Sequence, residues 1–108
     1  STGTPCGSSA VAKLAEILQS KQPALRAASI RGLAKMGEES IGYLEEFVSC
    51  LADQLGLVRL EAAYAVAACG ELGQMFASQV CRLMFDDEPR VRAAAASALP
   101  LMGVRGAA

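Results

Sequence analysis

The sequence predicts an all-α chain: an α-solenoid of about three helical pairs, six helices in 108 residues. Three observations carry this. One residue pattern recurs at a step of 33. Apolar residues within each unit follow the 3.6-residue period of a helix. Proline and glycine stand at the ends of the periodic runs, where helices start and stop.

The repeat is read first, because a fixed period of this size marks an array of small units that stack to bury their apolar sides. Pro23-Ala24-Leu25-Arg26 runs on to Leu33 and Met36-Gly37. Gly56-Leu57-Val58-Arg59 runs on to Val66 and Cys69-Gly70, and Pro89-Arg90-Val91-Arg92 to Leu99 and Met102-Gly103. The segments between them match at the same step: Leu14, Phe47 and Val80; Ala15, Val48 and Cys81; Ile17, Cys50 and Leu83; Leu18, Leu51 and Met84. Ser20, Asp53 and Asp86 close these segments. The match covers residues 11–103.

The expected helices are 10–20, 24–36, 41–52, 57–69, 74–85 and 90–102. The first, third and fifth are of one type, called second-type here because each forms the second half of a repeat. The second, fourth and sixth are first-type. Helix 10–20 carries Leu14, Ile17 and Leu18. Helix 24–36 starts at Pro23, where a missing N–H costs nothing. It should bury Leu25, Ala28, Ser29, Leu33 and Met36, and end at Gly37. Helix 41–52 carries Tyr43, Leu44, Phe47, Val48 and Leu51, with Ser40 as its expected N-cap. Helix 57–69 begins after Gly56, which replaces the proline and should loosen that start. Gly70-Glu71-Leu72-Gly73 reads as a turn. Helix 90–102 contains Pro100, where the other units have Ala34 and Ala67. A proline removes a backbone hydrogen bond, so a kink, fraying or stabilisation from outside is expected there.

Twenty-one alanines, concentrated in the first-type helices, favour helix and let helix axes approach closely. Residues 1–9, rich in Ser, Thr, Gly and Pro, read as a flexible leader. Residues 10–103 form the repeat domain and 104–108 a tail. The order opens on a second-type helix and closes on a first-type one. The two end helices therefore lack their own partner within the repeat, and one or both ends are expected to be covered by something else: more chain, another copy (end-to-end self-association) or capping by another chain.

Composition narrows the function. Ten basic and eleven acidic residues leave a net charge of −1. Binding to nucleic acid through phosphates would call for a cationic excess, so no nucleic-acid partner is expected. The chain has no histidine, the commonest general base and metal ligand. No catalytic triad, phosphate loop or metal-ligand spacing is present, and Glu45-Glu46 and Asp86-Asp87 are sequence neighbours that diverge on a helix. No enzyme activity and no cofactor are expected. No apolar run is long enough to span a membrane. Cys50, Cys69 and Cys81 fall on expected core faces and Cys6 in the leader, a pattern of free thiols that favours a reducing intracellular compartment.

Arg26, Arg59 and Arg92 recur at the repeat step, with Asp53 and Asp86 on the adjacent turn. They read as a structural ladder tying unit to unit. Residues that do not repeat are the better partner candidates: Lys13, Glu16, Glu45, Glu46, Ser49, Ser78, Gln79 and Arg82 on second-type helices, and Tyr64 on a first-type helix. Glu38, Glu39, Glu45 and Glu46 make an acidic patch, a candidate dock for a basic segment. Arg90, Arg92 and Arg105 lie close in sequence to Asp86, Asp87 and Glu88, which should neutralise them.

The run PRVRAAAASALPLMG (Pro89 to Gly103), preceded by LMFDD (Leu83 to Asp87), resembles the HEAT-like repeat in its short, phycobilisome-lyase-type form. LVRLEAAYAVAACG (Leu57 to Gly70) is similar to the same pattern, and PALRAASIRGLAKMG (Pro23 to Gly37) more loosely so. The resemblance implies a right-handed α–α superhelix that binds proteins, usually on the face of its second-type helices. It implies a non-catalytic interaction scaffold, as part of a longer protein or as a small subunit of an assembly. The alternative it implies is an accessory subunit of a bilin lyase or of a photosynthetic or organellar complex. The signature residues of ankyrin and tetratricopeptide repeats are absent, and a HEAT-type di-iron hydroxylase would need the missing histidines.

Overall fold

A computed structural model describes residues 6–102. Expectations about the Cys6 side chain, Gly103, Arg105 and the tail 104–108 fall outside that description. The described helices are α1 (Cys6–Leu18), α2 (Pro23–Ala34), α3 (Leu44–Cys50), α4 (Gly56–Ala68), α5 (Glu71–Gln74), α6 (Ala77–Arg82) and α7 (Pro89–Leu101). Gly37–Tyr43 and Leu83–Phe85 are 3₁₀-helical.

The first-type helices begin where the Pro and Gly markers place them: Pro23 opens α2, Gly56 opens α4 and Pro89 opens α7. Each is preceded by the same local turn. The side chain of Ser20, Asp53 or Asp86 accepts the backbone N–H two residues on, at 3.0, 2.9 and 3.0 Å respectively. That side chain fixes an extended residue ahead of the helix, the local competition that suits Asp and Ser to turns. Gly37 and Gly70 terminate α2 and α4 with φ of 70° and 64°, a region other residues enter at a steric cost.

The second-type helices are shorter and more broken than their periodicity suggests. The expected helix 41–52 is a 3₁₀ stretch followed by seven residues of α-helix, and 74–85 divides into α5, α6 and a 3₁₀ turn. Ser40 is not an N-cap. It lies buried within the 3₁₀ stretch and donates its hydroxyl proton to the Gly37 carbonyl at 2.7 Å. Gly70–Gly73 is more than a turn, because Glu71 to Gln74 form a helical turn pressed onto the end of α4. Gly73 comes so close to the Val66 carbonyl that a side-chain carbon would overlap it. Two further boundaries differ. α1 begins at Cys6, inside the expected leader. α7 continues through Pro100 to Leu101 instead of breaking at the proline. Pro100 lies in the final turn, so one residue of helix follows it and little regular structure is lost.

Packing follows the repeat. α2 lies against α4 and α4 against α7, forming a continuous layer, while α1 packs on α2, α3 on α4 and α6 on α7. The fully buried Ile30, Leu33, Phe47, Val58, Val66, Val80, Val91 and Met102 fill the space between the layers. The molecule measures 51 × 28 × 17 Å, the elongated slab that tandem stacking produces. Burial shows the open ends. Leu25 and Ala28 are exposed, contrary to expectation, whereas their counterparts Val58, Glu61, Val91 and Ala94 are buried. Those positions face the preceding first-type helix, and among the described residues none precedes α2. Among the thiols, Cys69 is buried and Cys50 and Cys81 are only half-buried, since the thin second-type layer covers its own residues less completely.

Candidate functional site: an interaction surface

The arginine ladder comes first, because it positions the surface around it. Arg26 donates from Nε to Asp53 Oδ2 at 3.0 Å and from Nη2 to Oδ1 at 3.2 Å, while its Nη1 holds the Ser20 carbonyl at 2.8 Å. Arg59 repeats the arrangement one unit on: Nε to Asp86 Oδ1 at 2.8 Å, Nη2 to Oδ2 at 3.0 Å, Nη1 to the Asp53 carbonyl at 2.7 Å. Each guanidinium therefore bridges the turn before its own helix and the turn after the next second-type helix. The parallel fork geometry suits arginine alone among the cations. The Arg59–Asp86 pair is largely sheltered from water, with side-chain exposures of 15% and 9%. Its hydrogen bonds hold the Asp86 carboxyl below the usual carboxylate range. The same bonds push the Arg59 guanidinium above its ordinary value.

Three further ion pairs carried no repeat signature. Arg31 on α2 reaches Glu61 on α4 through Nε (2.9 Å) and Nη2 (2.7 Å), so the buried carboxylate of Glu61 is satisfied across the helix interface. Hydrogen bonding to that carboxylate pushes the Arg31 guanidinium above its ordinary value. Glu88 ties to Arg90 at 3.0 Å and lies 3.7 Å from Arg59. Its carboxylate also covers Gly56, where any side-chain carbon would overlap it. The glycine that broke the proline pattern thus makes room for a carboxylate at the start of α4, where the helix dipole favours negative charge. Only the juxtaposition of α4 with residue 88 shows this, and the expected loosening of that helix start is not seen. The neutralisation expected around residue 90 holds for Arg90, which pairs with Glu88, whereas Arg92 donates only to carbonyls.

A groove of about 460 Å³ opens between the end of α1 and α3. It is lined by Leu18, Gln19, Arg26, Glu45, Glu46, Ser49, Cys50 and Asp53. The ladder pair Arg26–Asp53 forms part of its wall, and Glu45 and Glu46 have no ion-pair partner among the described residues. Its net charge is therefore negative. Burial, followed by the nearby Asp53 carboxylate, pushes the Cys50 thiol up, which keeps it protonated and poorly reactive.

Three candidate partner residues, Glu45, Glu46 and Ser49, come together on this groove. The others are dispersed. Lys13 and Glu16 pair with each other in solvent at 3.0 Å. Ser78 donates to Gln79 at 3.0 Å, and Arg82 is exposed at the end of α6. Tyr64 is exposed on α4, in the other layer. Glu38 and Glu39, expected to join the acidic patch, are exposed on the 3₁₀ stretch and do not line the groove. The adjacency of Leu18 and Gln19 to α3 had no signal in the sequence, because it depends on the distance between two repeats.

The fold and the ladder define an all-α solenoid of helical pairs. Residues 76–103 match the family model of the HEAT repeat. That span covers α6, the 3₁₀ turn and α7. No curated protein matches the chain. No described helix is long and apolar enough to cross a membrane.

Proposed function

We propose that this chain is a non-catalytic protein-interaction scaffold, and that it docks a cationic segment of a partner in the groove between α1 and α3. The observation that carries the reading is the groove itself. It brings Leu18 together with Glu45 and Glu46, two carboxylates with no ion-pair partner among the described residues, beside an ion pair already satisfied within the protein. A Lys- or Arg-bearing segment with one apolar anchor complements that surface. HEAT repeats commonly mediate contacts between proteins, which supports the class of function. We place its action in a reducing intracellular compartment, since the described cysteines are free.

The test is affinity capture from the native source with the wild-type chain and with Glu45→Lys/Glu46→Lys. Both positions lie on the surface of α3, so the double variant should fold. Partners held by the wild type, released by raised salt and absent from the variant support the groove; exposed charge contacts weaken under screening. Equal capture by both proteins refutes it. Mixing the chain with a free bilin tests the accessory-lyase alternative, suggested by the Pro89 to Gly103 motif, because a shifted absorption spectrum would favour that reading.

A further inference from the structure

The outward face of the second-type helices changes sign within one repeat step. On α3 it presents Glu45 and Glu46, which have no ion-pair partner among the described residues. On α6 the counterparts of Glu45, Glu46 and Ser49 are Ser78, Gln79 and Arg82. Arg82 is exposed and likewise forms no ion pair among the described residues. Three residues on, in the 3₁₀ turn that prolongs α6, stands Phe85. That spacing sets the two side chains next to each other along a helical backbone. Phe85 is 83% exposed, the highest value among the large apolar residues described. Its exposure belongs to the repeat position. The counterpart Ala52 is exposed on the surface after α3 although α6 and α7 follow it, and Gln19 is exposed after α1 although α3 follows. Packing within the array therefore calls for no apolar side chain at this position, and the other two units carry Gln and Ala there.

We propose that Arg82 and Phe85 form the second half of the docking surface and take the same partner segment as the α1–α3 groove. That segment is bipartite: a Lys or Arg at the groove and, one repeat step further on, an apolar side chain against Phe85 beside a carboxylate for Arg82. This second half depends on the groove being a dock for a cationic segment, as proposed above. Continuity sets the path. Ser49 lines the groove, and Arg82 occupies the position of Ser49 on the next second-type helix. Ser49 and Ala52 are exposed small side chains on the way, over which a backbone can pass closely. The step is set by the packing of α4 on α7. Packed helices sit about 10 Å apart, a distance that about four extended residues cross. Charge complementarity sets the composition. A uniformly basic segment would meet Arg82 with like charge, and a uniformly acidic one would meet Glu45 and Glu46. An apolar side chain at Phe85 takes both surfaces out of water.

The test is an NMR titration of the isotope-labelled full chain with two synthetic peptides. One carries Lys-Arg-Lys alone. The other joins it to Leu-Asp through about six Gly and Ser residues, slack enough for the step, and is made with the basic end first and with it last. Both peptides should shift the amides of residues 45–50. The joined peptide, in one of its two directions, should also shift those of 82–86 and bind tenfold or more tighter, the gain from linking two weak contacts. Arg82→Glu/Phe85→Ser, with both changes at exposed positions, should keep the wild-type melting temperature and bring the joined peptide down to the affinity of the basic one. Should Phe85→Ser lower the melting temperature, Arg82→Glu alone carries the same comparison. Binding of the basic peptide with no gain from Leu-Asp, or a gain that survives these substitutions, overturns the second half and leaves the groove standing. If neither peptide shifts residues 45–50, the groove reading fails, and the role of Arg82 and Phe85 falls with it.

Discussion

Three arginines with one sequence context stand in graded environments. Arg59 is sheltered and bridges two turns, Arg26 is somewhat more exposed, and Arg92 is exposed with carbonyl contacts alone. Truncation of Arg59 removes two bonds to a buried carboxylate and leaves Asp86 without its cation. Arg59→Ala should therefore destabilise by about 2 kcal/mol in urea unfolding. Arg92→Ala should change stability by less than about 0.5 kcal/mol, the usual range for surface positions. Equal effects would contradict the assignment of rungs. The same pair sets a pH dependence. The folded Asp86 carboxyl titrates lower than in the unfolded chain. Its contribution is thus complete above about pH 4, where the unfolded carboxyl is ionised, and is lost as the pH falls through the folded value. Asp86→Asn should be less stable at neutral pH and lose less on acidification, as thermal melts between pH 7 and 2.5 would show. Arg59 and Asp86 were legible as a pair because repetition places them in register. Arg31–Glu61 was not, because it occurs once, and a single Arg and Glu 30 residues apart carry no periodic signal.

At the scale of elements, first-type helices obey the sequence closely and second-type helices do not. α2, α4 and α7 have a proline or glycine at the start, a turn-forming side chain ahead of it, and another first-type helix packed alongside. α3 and α6 have only a few turns pressed against one neighbour, so their ends tighten into 3₁₀ geometry, a common compromise at short helix termini. The expected single helices missed this because apolar spacing is nearly the same in both geometries over so few residues. The sharpest local constraint is Gly73, whose missing side chain lets α5 rest on the Val66 carbonyl. Gly73→Ala should destabilise by about 1–3 kcal/mol, because the obstructing atom is backbone and cannot swing away. Chemical denaturation measures it, and a neutral result would mean that α5 can detach at no cost.

Among the described first-type helices α4 is covered on both sides, by α2 and α7, and its buried Val58, Glu61, Ala62, Ala63, Ala65, Val66 and Ala67 reflect that. In an array stabilised by nearest-neighbour interfaces, the centre opens last. Amide exchange should be slowest in α4 and faster in α1 and α7, which each have one open side. Uniform protection from end to end would instead indicate a single cooperative core. The proposed docking groove uses what the array leaves uncovered, a gap between two second-type helices.

Helix starts and stops, the arginine–aspartate register and the solenoid class were readable without coordinates. Each follows from a local rule, such as proline's missing donor, glycine's left-handed backbone or aspartate's turn bond, repeated at a constant step. The groove between α1 and α3, the burial of Glu61 and the exposure of Leu25 came only from assembly in space. They depend on how far apart neighbouring helices sit and on which positions have a helix laid over them. That is a matter of long-range packing, which residues identical in sequence context do not share.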